Sequence, residues 1–540
     1  MMSLMRDAPI GQLIRFVTRN RVLLYPDELP DFQCPPSIAN TSSAPSVATL
    51  TYSNHDVEAA TSGRPEKEAA PSPFLVDWYG NDDVENPQNW SGWRKGFVTF
   101  QICIYTLAVY MGSAIYTPSA PGVMEYFGVS EQVASLGLSL YVLAYGMGPL
   151  IFSPLSEIPA IGRNWPYIVT MIIFVVLCVP TALVDNIGGL LVLRFLQGFF
   201  GSPALATGAA SLADIYPLMF LPYALCLWAL AATSGPALGP VISGFSVPAE
   251  SWRWSLWEIL WLAGPVLLVM ILFLPETSSH NILLRRAKRL RKLTGNSELR
   301  SLSELIQARM TAREVAFEAL VRPMQLMIMD PAIGYTAVYA ALCYAIYYSF
   351  FEVFPMVYIE LYGFNVGEMG LTFLSITVGT VVSIAGYYAY FYWIVTPAII
   401  SGAPDIPEYR LIPALFSSFL LPIGLFIFAW TGNGHTHWIV SVIGIFLFTV
   451  GMFLLMQSIF AYLPAVYPQY TASTFAGNDF ARSSLAFAAV MFSRPMYRAM
   501  GIGPGTSLLA ALTAACIVGI FILFFYGEKL RARSRFSAKY

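Results

Sequence analysis

The sequence predicts an all-α membrane protein of about twelve transmembrane helices in two six-helix bundles, and three observations predict it. The first is composition: of 540 residues 56% are hydrophobic and only 11% charged, with a mean hydropathy of +0.60. Soluble domains carry roughly 25% charged residues. The second is a series of apolar blocks from Phe97 onward, each about twenty residues long, the length that crosses ~30 Å of hydrocarbon. The third is charge segregation, with cations gathered between the blocks in a way that assigns one side of the membrane.

The elements follow in chain order. Residues 1–95 are polar and read as a cytosolic, largely disordered N-terminal segment. Within it Ile10–Leu24 is mildly amphipathic, but Arg15, Arg19 and Arg21 interrupt it, so it is not a secretory signal. Residues 36–73, rich in Ser, Pro, Ala and Thr, read as disordered. Trp78, Trp90 and Trp93-Arg94-Lys95 then suit the membrane interface. The first six blocks lie near 97–117, 133–153, 166–184, 188–212, 222–245 and 256–275, giving an N-terminal bundle over 96–275. Six more lie near 331–355, 369–395, 410–430, 437–460, 474–495 and 506–526, giving a C-terminal bundle over 331–527. A basic linker, 276–330, joins them, and a short tail, 528–540, closes the chain.

Between Arg285 and Arg322 the linker holds ten cations against four glutamates, and the tail adds Lys529, Arg531, Arg533, Arg535 and Lys539. The positive-inside rule then places both termini and the linker in the cytosol. Asn40-Thr41-Ser42 and Asn89-Trp90-Ser91 match the glycosylation acceptor but fall on that side, so neither is expected to be modified. The basic linker reads as a solvated surface touching anionic lipid rather than as a nucleic-acid site.

Several chemistries are disfavoured. No Gly-x-x-x-x-Gly-Lys-Ser/Thr loop is present to hold ATP, so ATP is not the expected energy source and no cofactor is expected. The six cysteines are scattered singly, without disulfide or zinc spacing. His435 and His437 share a short loop that reads as a solvated turn, not a metal site. His-Glu-x-x-His and Gly-x-Ser-x-Gly are absent, which argues against an enzyme.

What remains is a lone arginine, Arg194, in the apolar run Leu191–Gly198, and a glycine-proline helix carrying Gly235, Pro236, Gly239, Pro240 and Gly244. An arginine at membrane depth costs about 2.5–3.5 kcal/mol on insertion scales and faces a partner or a watery cavity. Irregular backbone there must pack on protein or line such a cavity. Together they imply a polar pathway through the middle of the molecule.

Gly148-Pro149 followed by Ser153-Pro154-Leu155-Ser156-Glu157 and Gly162-Arg163 resembles the signature loop of the major facilitator superfamily. Leu193–Gly198 resembles its fourth-span arginine motif, and 235–244 its fifth-span antiporter motif. Asn86-Pro87-Gln88-Asn89-Trp90, Pro275-Glu276-Thr277, Phe351-Glu352 and Phe475-Ala476-Gly477-Asn478 resemble one fungal branch, the twelve-span drug:proton antiporters linked to fluconazole and benomyl resistance. The resemblance covers about residues 75–530. It implies the major facilitator fold, alternating access, and proton-coupled efflux of lipophilic or amphipathic small molecules, such as antifungal drugs and toxicants, across a fungal plasma membrane. It departs from the family at the signature loop, where Glu157 stands as the acid and Gly162-Arg163 follow five and six residues later.

On that footing Arg194, Glu352 and Asp479 are the proton-coupling candidates. Arg194 either exchanges partners as an acid titrates or clamps helices, Glu352 either titrates or marks the interface, and Asp479 either couples or forms a local salt bridge with Arg482. Gly148, Glu157, Gly162 and Arg163 are expected to latch the two halves. The glycine-proline run forms either a bend for rocking or a close helix contact. Tyr116, Tyr145, Gln197, Tyr339 and Tyr347 are the substrate-binding candidates, since aromatic faces with polar tips suit flat amphipathic compounds. The expected partners are small-molecule substrates, protons and membrane lipids, with no nucleic acid, and the expected state is a monomer. Two other readings stand beside this one: export of an endogenous secondary metabolite or toxin, and a non-transporting nutrient receptor on the same fold.

Overall fold

The computed structural model describes residues 2–30, 32, 75–217, 219–307, 317, 320–401 and 406–537. Eleven of its helices are long and apolar enough to cross a membrane. Those of the first half are α1 (Gly92–Phe127), α2 (Glu131–Glu157), α3 (Asn164–Leu183), α4 (Ile187–Ile215), α5 (Leu221–Ala249) and α6 (Trp254–Phe273). The second half has α7 (Pro331–Leu361), α8 (Val366–Ile400), α9 (Pro407–Thr431), α10 (Trp438–Val466), α11 (Thr471–Met500) and α12 (Ile502–Arg533). The helix α11 is as long as its neighbours, at 30 residues, but Asp479, Arg482, Arg494 and Arg498 take it out of the apolar class. The expected two sets of six are therefore present, each block within a few residues of its place.

Local chemistry sets the helix starts. Ser130 accepts from the Val133 amide before α2, and Asn186 from the Gly189 amide at 2.6 Å before α4. Asp330 accepts from the Ala332 and Ile333 amides at 2.9 and 3.2 Å, with Pro331 at the first helical position of α7. Each cap satisfies amides that a helix start leaves unpaired. Because the connections are short, successive spans run antiparallel. One end of the molecule then carries the linker and both chain ends, and is called the linker end below; the other is the far end.

The segments around the linker are more structured than their composition suggested. Helices Met2–Asp7 and Pro9–Val17 and the turn Pro26–Glu28 are folded, and Leu75–Val76 pairs in parallel with Arg300–Ser301. The linker helix Ser279–Thr294 turns two of its arginines inward. Arg286 meets Asp83 at 2.6 Å and Glu85 at 3.1 Å, and Arg289 meets Asp27 at 2.8 Å and Glu85 at 3.0 Å. A wholly solvated linker is thus corrected at Arg286 and Arg289, which anchor the N-terminal residues. The expected disordered stretch, 36–73, lies outside the described residues.

Candidate functional site

Arg194 sits on α4 with no exposed surface. Its Nε donates to the Gly137 carbonyl and its Nη2 to the Ser113 carbonyl, both at 2.9 Å. Nη1 donates to Gln197 Oε1 at 3.5 Å, and the guanidinium lies 4.5 Å from the Tyr141 ring centroid and 5.2 Å from that of Tyr116. Its charge is balanced by carbonyl dipoles and ring faces. One side chain thereby ties α4 to α1 and α2, a geometry that a planar, five-donor group supports and a lysine would not.

A chain of hydroxyls starts beside it. Ser113 on α1 and Tyr348 on α7 lie 3.2 Å apart, oxygen to oxygen. Tyr348 meets Tyr145 of α2 at 3.1 Å, and Tyr145 is hydrogen-bonded in turn to Tyr344 of α7. The cluster crosses the seam between the halves and roofs a cavity on its linker side. That cavity, of about 120 Å³, is walled by Tyr110, Trp228 and Thr233 of the first half and by Tyr344, Tyr347, Met456, Gln457 and Phe460 of the second. Its charged wall is Asp479 and Arg482 of α11, which pair with each other. The Arg482 guanidinium also lies 5.0 Å from the Tyr344 ring and 5.4 Å from Phe460. An aromatic and thioether pocket with few polar groups holds ligands mainly by apolar area and uses those groups to orient them.

At the far end the halves are joined by charge. Arg494 of α11 pairs with Glu131 of α2, and its Nε meets Glu352 of α7 at 2.5 Å. Arg498 reaches the other oxygen of Glu131 at 2.8 Å. The seam continues along α2 and α11: Ser139 Oγ approaches Met491 Sδ at 3.5 Å, and a Cβ on Gly146 would come within 2.2 Å of Ser483.

The glycine-proline helix α5 is continuous through Pro236 and Pro240, and its glycines mark close approaches. A Cβ on Gly235 would meet Tyr110 at 2.8 Å, and one on Gly239 the Ile115 nitrogen at 2.7 Å, both on α1. Gly244 faces the other half, where its Cβ would lie 2.9 Å from the Val366 carbonyl of α8. The run is therefore a contact surface against α1 and, nearer the far end, against α8.

The signature loop departs from expectation. Arg163 Nε lies 3.3 Å from Asp214, its Nη1 donates to Ser156 at 2.9 Å, and Glu157 is 4.0 Å away. The Arg163 amide donates to Glu276 at 2.9 Å. All of these polar partners belong to the first half, so Arg163 braces the ends of α2, α4 and α6, while the end of α2 over Pro149–Glu157 also packs against α11 of the second half. Gly162 takes the left-handed region, φ +76°, where a side chain would also strike the Glu276 carboxylate at 2.4 Å. Gly148 allows α2 to touch Ser202 of α4.

Of the expected substrate contacts, Tyr347 lines the cavity, its hydroxyl donating to the Thr233 carbonyl at 2.9 Å, and Tyr145 stands in its roof. Tyr116 and Gln197 belong instead to the Arg194 site inside the first bundle: Tyr116 donates to the Ala134 carbonyl at 3.1 Å and Gln197 to Cys178 Sγ at 3.4 Å. Tyr339 points into the second bundle beside Tyr335. Nine residues separate Tyr339 from Tyr348, half a turn out of phase on one helix, so the two face opposite ways. The sequence reading did not single out Glu131, Trp228, Gln457 or Arg494. The missed signal was in Glu131 and Arg494, two opposite charges at the same end of two spans.

The family model described as Major Facilitator Superfamily matches residues 102–489. The chain is 46% identical to "MFS-type transporter pyvG" of Aspergillus violaceofuscus over all of both chains. It is 41% identical to "Fluconazole resistance protein 1" of Saccharomyces cerevisiae, over 86% of this chain and 85% of that protein. Among solved structures it resembles the proton:xylose symporter XylE, with a TM-score of 0.58 at 11% identity over 81% of this chain and 97% of that one, a likeness of fold. The chain belongs to the Major Facilitator Superfamily, a family of membrane transporters and not of enzymes.

Proposed function

We propose that this transporter exports lipophilic and amphipathic small molecules, antifungal drugs and toxicants among them, from the cytosol across a fungal plasma membrane. Protons entering from outside drive the return, and the protein works as a monomer. The observation that carries the reading is the cavity between the halves, aromatic and apolar apart from Thr233, Gln457 and the Asp479–Arg482 pair. Relatives named for fluconazole and cycloheximide resistance support the same class of cargo. The cation-rich linker end is taken as cytosolic, so the cavity lies on the side from which cargo is collected.

In this reading the far-end cluster is the proton's target. Arg494 is held by Glu131 across the seam and by Glu352 within its own half. A proton placed on Glu131 removes the charge that holds the halves together there, and one placed on Glu352 removes the acid that positions Arg494 toward the seam. Asp479, on the cavity wall, is the acid that cargo and proton compete for on the other side. Arg194 keeps α1, α2 and α4 rocking as one body.

The test is substrate-triggered proton movement in proteoliposomes, with azoles and benzimidazoles supplied one at a time. Proton flux that needs a compound and disappears in Glu352→Gln is the expected result. Binding of compounds without any proton or compound flux would overturn the antiport reading.

A further inference from the structure

The N-terminal helices occupy a position that transport by the bundles does not explain. Met2–Asp7 and Pro9–Val17 pack against α6, and Arg94 at the start of α1 meets Asp7 at 2.9 Å. That start is the interface level of the molecule: its neighbour Trp93 is 80% exposed and stacks on Phe97. At this level Pro9–Val17 turns Leu13, Phe16 and Val17 outward, with Phe16 82% exposed. The apolar face runs on from the exposed side of the spans, where Trp261 and Leu268 of α6 also point away from protein.

Just beyond it the chain makes a costly turn. Arg19 and Asn20 take φ of 51° and 60°, the left-handed region that non-glycine residues avoid. The turn is held from within: the Asn20 amide donates to the Arg15 carbonyl at 2.7 Å, and Arg15 Nη1 donates to the Leu23 carbonyl at 2.6 Å. Arg15 is also occupied by Glu28 at 2.6 Å. The result is that Arg19 and Arg21 are left exposed beside the apolar face, and no acidic residue lies between Pro9 and Tyr25.

An apolar helix face flanked by free cations, at the depth of an interfacial tryptophan, matches the physics of a helix lying in a headgroup layer. We propose that residues 9–24 are an interfacial foot that binds anionic phospholipid at the linker end. Leu13, Phe16 and Val17 enter the acyl boundary, and Arg19 and Arg21 meet the negatively charged headgroups. The foot is tied to the first bundle through Asp7–Arg94 and α6, so it fixes the height of that bundle in the membrane while the other half moves. The inference rests on the cytosolic placement of the linker end only for which leaflet is met in the cell, and discs with identical leaflets remove that dependence.

The experiment uses the full chain, its native cysteines replaced, in lipid nanodiscs holding one copy. A nitroxide is placed at Phe16→Cys, and its collisions with oxygen and with a water-soluble nickel chelate are compared. Expected is oxygen access well above nickel access in phosphatidylcholine discs containing phosphatidylserine, with the reverse for a label at Asn20→Cys. Replacing Arg19 and Arg21 by Gln should lower the oxygen-to-nickel ratio at position 16 several-fold without altering the fold, whose spans do not use them. A label at 16 as open to nickel in discs as in detergent would overturn the foot. A label shielded from both quenchers would assign the face to protein and overturn it too. Equal depth in phosphatidylcholine alone would overturn the anionic headgroup.

Discussion

The two ends of the molecule use ion pairs differently. At the far end Arg494 and Arg498 of the second half hold Glu131 of the first. At the linker end Arg163–Asp214 stays within the first half and Arg531–Glu408, at 2.9 Å, within the second. Of these pairs only those of Arg494 and Arg498 with Glu131 cross the seam; the others, with Arg253–Asp185 at the far end among them, stiffen one bundle as a body. The contrast places the switch of alternating access at the far end and the rigid handles at the other. Variants should separate accordingly, far-end changes shifting the population of states and linker-end changes loosening one bundle.

The largest effect is expected from Arg494→Gln. It leaves Glu352, only 3% exposed, buried without its cation. Breaking a buried pair this way costs about 3–5 kcal/mol, or roughly two to four powers of ten in an equilibrium. Dye efflux from vesicles should fall to background, and a cysteine at Ser135→Cys, a position buried on α2 beside Glu352, should become open to a thiol reagent from the far side. Unchanged access at 135 would break the comparison, because the far-end charges would then not be what holds the seam. The double variant Glu352→Gln/Arg494→Gln, with no unpaired charge at 352, should be less damaged in folding and equally open.

Arg194→Ala comes next. It removes two hydrogen bonds from a charged donor, to the Gly137 and Ser113 carbonyls, worth about 1.5–3 kcal/mol each. Efflux should be lost while the protein still reaches the cell surface. Arg194→Lys should not restore it, since a single ammonium does not span the carbonyls of α1 and α2 together. Recovery by lysine would mean that charge alone, and not the tie between helices, is what the site supplies.

How much of this was legible in the sequence depends on which kind of signal was carried. The spans were, because twenty-residue apolar runs leave few alternatives in hydrocarbon. Even α11 was placed, on its position between its neighbours, although its four charges blunt its hydropathy. Arg194 was legible for the same reason in reverse, as a cost that needs a structural answer. Its partners were not: carbonyls of Ser113 and Gly137 leave no trace in side-chain chemistry. Glu131 was hidden in plain sight, because an acid just after Ser130 reads as an ordinary first-turn residue that favours the helix dipole. Only the meeting of α2 with α11 gives it a partner. The tyrosines divided by phase: Tyr344 and Tyr348 share a face four residues apart, while Tyr339 lies on the opposite one.

A smaller effect separates the cavity from the far-end seam. Asp479→Asn keeps the side chain's size and leaves Arg482 unneutralised in the cavity wall. Efflux of cationic compounds should fall several-fold, whereas neutral azoles should be affected less, and far-side access at position 135 should stay as in the parent. Equal loss for cationic and neutral compounds would make Asp479 a conformational residue like Arg494 and erase the distinction between the two pairs.

The smallest effect concerns how the N-terminal residues are held at the linker end. Burial works against ionisation of Asp83, but the Arg286 guanidinium and the amides of Tyr79 and Glu85 outweigh it and hold its carboxyl below the ordinary aspartate value. Glu28, held by Arg15, and Glu304, held by Arg291, are lowered against burial in the same way. A lowered folded value means that the docking energy is fully present above the undocked value, about 3.9 for aspartate, and is lost as pH falls through the folded one. Nitroxide distances between Asp82→Cys and Asn296→Cys should therefore stay fixed from neutral pH down through the mildly acidic range, broadening only below that ordinary value. In Arg286→Gln the carboxyl loses its main support, so broadening should begin at higher pH. Efflux at neutral pH should change little in either case, because these contacts brace the linker and do not cross the seam. Loss of efflux in step with undocking would instead make the N-terminal clamp part of the switch, and would move part of the moving machinery to the linker end.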